Sequence, residues 1–288
     1  MYLKNYNNNK HEQHPFHIVD PSPWPIILAL AIFNNCLVFV MYFNFFKFSF
    51  FQISWNLIFV GYVLTSWFYD IILEASTEGR HTLRVQKGIK LGMSLFIASE
   101  VMFFFGFFWA FFHYSLCPSI FIGGLWPPVG IDPVDPWGLP LSNTVILLSS
   151  GVTVNYTQKA IRYGCRWKTF YSLLATILYG LIFMYVQYFE YNSSGFSFND
   201  SVYGSIFYIT TGFHGFHVAV GTLFLIICLL RHYKYQLLRD HHVGLECAIW
   251  YWHFVDVVWI FLYLTVYDVF NIMYVKFDSL LSSFLSIF

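Results

Sequence analysis

The sequence predicts an all-α fold, a polytopic membrane bundle of seven transmembrane helices. Of its 288 residues, 58% are hydrophobic and 10% are charged, and the mean hydropathy is +0.58. The apolar residues gather in seven segments, each about as long as the ~20 residues that a helix needs to cross a bilayer. These observations exclude a soluble globular domain. The net charge of zero gives no reason to expect nucleic acid as a partner.

A polar N-terminal segment, residues 1–25, precedes the first apolar segment and lacks the apolar core of a signal peptide. Its last part is rich in proline, which stops helices, and carries Trp24, a residue type enriched at the membrane–water interface. We assign residues 26–270 to one seven-helix membrane domain and residues 271–288 to a C-terminal tail. The predicted spans are 26–43, 55–73, 88–112, 139–156, 169–189, 204–230 and 244–270.

The positive charges alternate between successive connections, and this alternation predicts the orientation of the chain. One set of alternate connections carries only Lys47 and Lys276. Because basic connections stay on the inner side of a membrane, we expect the N-terminus inside and the C-terminus outside. The basic residues on the expected inner side are Lys4, Lys10, Arg80, Arg84, Lys87, Lys90, Lys159, Arg162, Arg166, Lys168, Arg231, Lys234 and Arg239.

The third predicted span carries one carboxylate, Glu100, in an otherwise apolar run with aromatic residues on its C-terminal side. A charge at bilayer depth is costly, so an acid in this position indicates a functional site. The alternative is an acid held neutral by a hydrogen bond to a neighbouring helix. On either interpretation we expect Glu100 to be neutral, because desolvation disfavours the charged form.

Histidines in the later spans suggest either a metal site or a polar network between helices. His214 and His217 lie three residues apart on one helical face, and so do His253 and Asp256. The multiple histidine boxes of a membrane desaturase are missing, and so is the histidine pattern of a bundle that holds haem. Hydrogen bonding between helices is the commoner use of polar side chains in a bilayer. We therefore predict no metal site and no catalytic residue, and we regard these four residues as a possible network around Glu100.

The second connection and its flanks, residues 70–90, concentrate ionisable residues at the expected inner interface. One interpretation is that their charges only set the topology. The other is a binding site for phospholipid headgroups, since basic pockets between helices on the inner side bind anionic lipids. The residues concerned are Glu74, Glu78, Arg80, His81, Arg84 and Lys87.

The C-terminal tail has an amphipathic pattern. Its large apolar residues recur at helical spacing from Phe277 to Phe288, and serines occupy the opposite side. The tail is too short to cross a bilayer and has almost no lysine, so we expect it to lie on the outer surface in the groove of a partner subunit. A frayed tail is the alternative, since serine is a mediocre helix former.

Six motifs, taken in order, closely resemble subunit III of cytochrome c oxidase, a family of the aa3-type haem–copper oxidases. The resemblance runs from about residue 14 to residue 267. The motifs are HIVDPSPWP (17–25), EGRHT (78–82), SEVMFFFGFFWAFFH (99–113), LPLSNTVILLSSGV (139–152), DSVYGSIFYITTGFHGFHVAVGTLFL (200–225) and HHVGLECAIWYWHFVDVVWIFLY (241–263).

The resemblance implies a non-catalytic, phospholipid-binding core subunit that stabilises catalytic subunit I and its proton-uptake side. Electron transfer from cytochrome c to oxygen, coupled to proton pumping, would use haem a and copper in the partner subunits. The first two helices are expected to diverge from the last five around a cleft that holds phospholipids. The expected location is the mitochondrial inner membrane, with the N-terminus in the matrix and the C-terminus in the intermembrane space.

The resemblance also implies roles for single residues. Glu100 corresponds to the carboxylate of the family that reacts with carbodiimides. The expected lipid-binding residues are Glu74, His81, Arg84, Trp109 and Arg231. The family usually has basic residues where this chain has Tyr69 and Leu73, which weakens one expected phosphate contact.

Two other classes of function are alternatives to this interpretation. A membrane metalloenzyme of the desaturase type would retain bound metal in the isolated chain. A proton-coupled transporter is compatible with an acid in the middle of a helix, but it would be supported by discontinuous helices or paired repeats, and the sequence contains neither.

Overall fold

The computed structural model describes residues 14–47 and 49–269, and this part of the chain is helical without any strand. The predicted all-α fold with seven long helices is confirmed. The C-terminal tail lies outside the described residues, and its amphipathic helix stays a prediction. The helices are α1 (Trp24–Phe43), α2 (Ser49–Ser76), α3 (Leu83–Leu116), α4 (Leu139–Arg162), α5 (Arg166–Ser193), α6 (Val202–Tyr233) and α7 (Val243–Leu262), which continues as a π-helical segment, Tyr263–Val269.

Several helices extend beyond the apolar segments from which they were predicted. Helix α3 begins at Leu83 rather than at residue 88, so Arg84 and Lys87 lie in its first turns and not in a loop. The hydroxyl of Thr82 accepts a hydrogen bond from the backbone N–H of Val85 (3.4 Å), as a helix cap does. Hydropathy marks only the apolar part of a helix, and polar residues at the membrane surface continue it.

Helix α4 is the least apolar of the seven, and the other six are long and apolar enough to cross a membrane by composition. It has 24 residues, which is sufficient length for a span. Several of its polar side chains bond to the neighbouring helix α5: Thr153 and Thr176 share a hydrogen bond of 2.8 Å, and Thr157 donates to Ser172 at 2.8 Å. The composition of α4 therefore reflects hydrogen bonding between helices rather than exposure to water.

The described chain divides into two compact units between Ile89 and Lys90. In the first unit α1 packs on α2, and the amide of Asn34 donates to that of Asn56 at 3.0 Å. Few side chains of these two helices are buried, Val63 being one of them. Most of the apolar side chains of these two helices are therefore exposed. The predicted domain boundaries, which place one domain over residues 26–270, stay a prediction.

In the second unit α4, α5, α6 and α7 pack around a common core. Helix α7 contacts both α4 and α6, and its Trp252 is completely buried. The indole N–H of Trp252 donates to the hydroxyl of Ser150 at 2.8 Å. Two glycines, Gly180 and Gly221, make room for this ring, since an added Cβ would lie 2.7 Å and 3.1 Å from its atoms. The close approach of the helices to Trp252 thus depends on residues without side chains.

The connection between α3 and α4 contains one short 3₁₀ turn, Ile120–Ile122, and is otherwise non-helical. The hydroxyl of Ser119 caps this turn by accepting from the N–H of Phe121. Gly123 then adopts a φ of 87°, a conformation that glycine takes without a Cβ clash.

Candidate functional site

The carboxylate of Glu100 on α3 lies against the ring of His217 on α6. Its Oε2 is 2.8 Å from Nε2 of His217, and Nδ1 of that ring is 2.6 Å from the carbonyl oxygen of Phe213. A carbonyl only accepts, so Nδ1 carries a proton and donates it. The contact between Nε2 and the carboxyl group then holds one shared proton. The pair is neutral overall whichever side holds that proton, and this makes it tolerable within a bilayer.

Aromatic rings surround the histidine of this pair. The ring centroid of Phe104 lies 5.1 Å from that of His217, Phe254 lies at 6.1 Å, and Tyr251 stacks on it at 6.3 Å. The side chain of His217 is 8% exposed and that of Glu100 is 22% exposed. The acid is therefore shielded on the side of the histidine and accessible from one face of α3.

The other members of the predicted network form separate contacts. His214 is buried, and its Nε2 lies 3.2 Å from the carbonyl oxygen of Val255. His253 lies 3.0 Å from the amide oxygen of Asn155 and 3.7 Å from a carboxylate oxygen of Asp256. The structure thus brings Glu100 together with His217, whereas His253 and Asp256 associate with each other and with α4.

A second buried carboxylate, Glu190 on α5, was not found by sequence reasoning. It accepts hydrogen bonds from the hydroxyl of Tyr267 (2.7 Å) and from the amide of Gln187 (3.3 Å), and Asn143 donates to Gln187 at 3.4 Å. Glu190 is 1% exposed. The predicted fifth span ended at residue 189, so Glu190 was counted with the connection. The helix continues to Ser193 and carries the acid into the core.

Glu246, in the first turn of α7, is a third acid that sequence reasoning passed over. Its carboxylate pairs with Lys90 and lies 3.5 Å from Arg162 and 3.6 Å from Nε2 of His242. An acid in the first turn is also favoured by the helix dipole. The signal in the sequence was an acid at the end of a connection that carries several basic residues.

Two of the predicted lipid-binding residues, Glu74 and His81, lie close together at the α2–α3 turn. They lie there with His17 of the N-terminal segment, and one ligand atom of each lies within 4.8 Å of the others. The turn is tight because Gly79 adopts a φ of 64°, and the N–H of Arg80 donates to the carbonyl of Glu74 at 3.2 Å. His17 was not predicted, because nothing in the sequence links it to residues so distant.

Arg84 lines a different cavity, of about 400 Å³, with Leu83 and Lys87 at the beginning of α3. The cavity thus combines two positive charges with an apolar side chain. This is a combination that suits a phospholipid, which has an anionic phosphate joined to hydrocarbon chains.

Trp109 and Arg231 belong to the second unit and lie in different surroundings. Trp109 is exposed and lines an apolar cavity of about 600 Å³ formed largely by phenylalanines of α3 and by Phe261 of α7. Arg231 lies near the end of α6, beside Gly244. Its buried Nε has no hydrogen-bond partner among the described residues, so this N–H group is left to donate to an oxygen atom of a ligand.

Seven long helices with exposed apolar faces and with buried pairs of ionisable groups define a multi-pass helical membrane protein. The chain belongs to the cytochrome c oxidase subunit III family, whose model matches residues 14–270. The resemblance inferred from the motifs is therefore confirmed.

Relatives from distant organisms agree with this assignment. The chain is 51% identical to cytochrome c oxidase subunit 3 of Triticum aestivum over 256 residues, which cover 89% of this chain and 97% of the relative. It is 48% identical to the protein of the same name from Podospora anserina, over 92% of this chain and 98% of the relative. The protein of that name from Cyprinus carpio is 48% identical, over 89% and 98% of the two chains.

Proposed function

We propose that this chain is a non-catalytic, phospholipid-binding core subunit of cytochrome c oxidase. It supports electron transfer from cytochrome c to oxygen, coupled to proton pumping, by stabilising catalytic subunit I and its proton-uptake side. The observation that carries the lipid-binding part is the cavity at the beginning of α3, which Leu83, Arg84 and Lys87 line.

The chemistry of this cavity matches an anionic headgroup. Arg84 and Lys87 offer several N–H donors to phosphate oxygens, and Leu83 continues the wall with apolar surface. Each basic residue near an anionic membrane surface contributes about 1 kcal/mol to binding. The two together account for about 2 kcal/mol, which corresponds to an affinity about 30-fold higher.

Two features of the second unit support further lipid contacts. Arg231 has a buried nitrogen that lacks a protein acceptor among the described residues, and a phosphate oxygen would satisfy it. Trp109 lines a cavity whose wall is almost wholly apolar, and hydrocarbon chains suit such a wall. Arg231 thus binds a headgroup, and Trp109 lies beside lipid chains.

The contacts of the membrane histidines support a subunit that holds no redox centre. His214, His217, His232 and His253 have ring nitrogens close to oxygen atoms of the protein itself. Such contacts hold neighbouring segments together. On this proposal haem a and copper belong to the partner subunits, and the exposed apolar faces of this chain contact subunit I and phospholipid.

The proposed location is the mitochondrial inner membrane. The alternation of basic residues along the chain supports an N-terminus on the matrix side and a C-terminus on the intermembrane side. On this orientation the cavity at Arg84 and the buried nitrogen of Arg231 both belong to the inner leaflet.

The test of the lipid-binding role is the phospholipid content of the purified oxidase complex. Arg84→Ala combined with Lys87→Ala is expected to release phospholipid and to shorten the active lifetime of the enzyme during turnover. Lys47→Ala, at the opposite end of α2, is the matched control for the loss of a positive charge. Native mass spectrometry that finds the same lipid content in the double variant and in the control would contradict the proposal.

A further inference from the structure

We propose that His17, Glu74 and His81 form a binding site for a divalent transition-metal ion, with zinc the ion that their chemistry suits best. Two imidazoles and one carboxylate are a ligand set that zinc uses in proteins, with a fourth position open to an oxygen ligand. The cluster joins three elements of the first unit: the N-terminal segment, the last turns of α2 and the α2–α3 turn.

The potential ligand atoms of the cluster lie near one another, though farther apart than in an occupied zinc site. One ligand atom of each residue lies within 4.8 Å of the other two. Zn–N and Zn–O bonds of about 2.0–2.1 Å separate the ligands of a tetrahedral site by about 3.3 Å. Rotations of side chains that are only half-buried are sufficient to close this gap.

The histidine from the N-terminal segment has an unused nitrogen. Nε2 of His17 is buried and has no hydrogen-bond partner among the described residues. Leaving such an atom unsatisfied destabilises the folded protein. A neutral imidazole nitrogen without a donor is also the atom that binds a metal. A metal ion would therefore satisfy a group that has no partner within the described part of the chain.

Contacts on both sides of His17 hold it next to the α2–α3 turn. The hydroxyl of Thr82 donates to the carbonyl of Pro15, and the guanidinium of Arg80 lies 3.2 Å from the carboxylate of Asp20. The ring centroids of His17 and His81 are 6.2 Å apart. The three ligands are thus gathered by interactions that do not depend on a metal, which reduces the entropy cost of binding one.

The charge of one ligand favours a cation. Glu74 supplies one negative charge to the cluster, and a charged ligand strengthens the binding of a divalent ion. The carboxylates of Asp20 and Glu78 both pair with Arg80.

The test uses the purified oxidase complex and Zn²⁺ itself, titrated in competition with a chromophoric chelator. The complex with the unaltered chain is expected to bind one Zn²⁺ more than complexes carrying His17→Ala or Glu74→Gln. His14→Ala is the matched control, since His14 belongs to the same segment and is exposed outside the cluster. It is expected to leave zinc binding unchanged.

X-ray absorption at the zinc edge gives a second readout that does not depend on activity. The difference between the spectra of the unaltered complex and of the His17→Ala complex should show scattering from imidazole nitrogens at about 2.0–2.1 Å from the zinc. Equal zinc stoichiometry in the unaltered complex and both variants would overturn the proposal. So would a His17→Ala complex that loses phospholipid but no zinc, because the cluster would then bind a headgroup and not a metal.

Discussion

His217 contacts Glu100 across 117 positions of the chain, with 2.8 Å between its Nε2 and the carboxylate oxygen. Because the other ring nitrogen donates to the carbonyl of Phe213, this contact holds one shared proton and is neutral. An acid in the middle of a transmembrane helix is thus accommodated by a partner on another helix of the same chain.

Replacing Glu100 by glutamine should preserve the stability of the complex, and replacing it by leucine should lower that stability. The amide of glutamine donates to Nε2 of His217, so the ring keeps both of its contacts. Leucine leaves Nε2 without a partner, which costs about 1–3 kcal/mol. Thermal inactivation of the purified complex should therefore begin at a lower temperature in Glu100→Leu than in Glu100→Gln. Equal midpoints for the two variants would mean that the contact contributes nothing.

An apolar carbodiimide should modify Glu100 in the membrane. The side chain of Glu100 is 22% exposed, whereas Glu190 is 1% exposed and accepts a hydrogen bond from Tyr267. Labelling of the chain should disappear in Glu100→Gln and should persist in Glu190→Gln. Mass spectrometry of the labelled peptides checks both expectations. Label that remains in Glu100→Gln would assign the reactivity to a different acid.

Removing the hydroxyl of Tyr267 should destabilise the second unit. This hydroxyl donates to the carboxylate of Glu190 at 2.7 Å, and both residues are buried. Tyr267→Phe leaves a buried acceptor without its nearest donor, at a cost of about 1–3 kcal/mol. Tyr185→Phe is the control, since Tyr185 is 70% exposed, and such surface changes usually stay within about 0.5 kcal/mol. Equal thermal stability of the two variant complexes would refute the role assigned to this hydrogen bond.

A methyl group at Gly180 should disrupt the packing around Trp252. An added Cβ would lie 2.6 Å from the hydroxyl oxygen of Thr222 and 2.7 Å from a ring carbon of Trp252. Overpacking of this kind costs about 1–3 kcal/mol, and Gly180→Ala should lower the yield of assembled complex. Gly215→Ala is the matched control on α6, because nothing lies within 4 Å of its added Cβ. The prediction fails if the two alanine variants assemble equally well.

The membrane class and the order of the helices were predictable because a span is a local property. About 20 consecutive apolar residues indicate a transmembrane helix wherever they occur. Glu100 was recognised for the same reason, as an acid within such a run. Helix ends were predicted less well, since polar residues such as Arg84 and Lys87 continue α3 beyond its apolar part.

By itself, then, the sequence determined the seven helices, their order and the family of the protein, because local hydrophobicity and contiguous motifs carry this information. Only the tertiary structure decided which side chains meet. His217 rather than His253 contacts Glu100, Glu190 enters the core with Tyr267, and His17 joins Glu74 and His81. These contacts join residues far apart in the chain, and the packing of helices brings them together. The spacing of residues along one helix does not indicate which residues of other helices will pack against it.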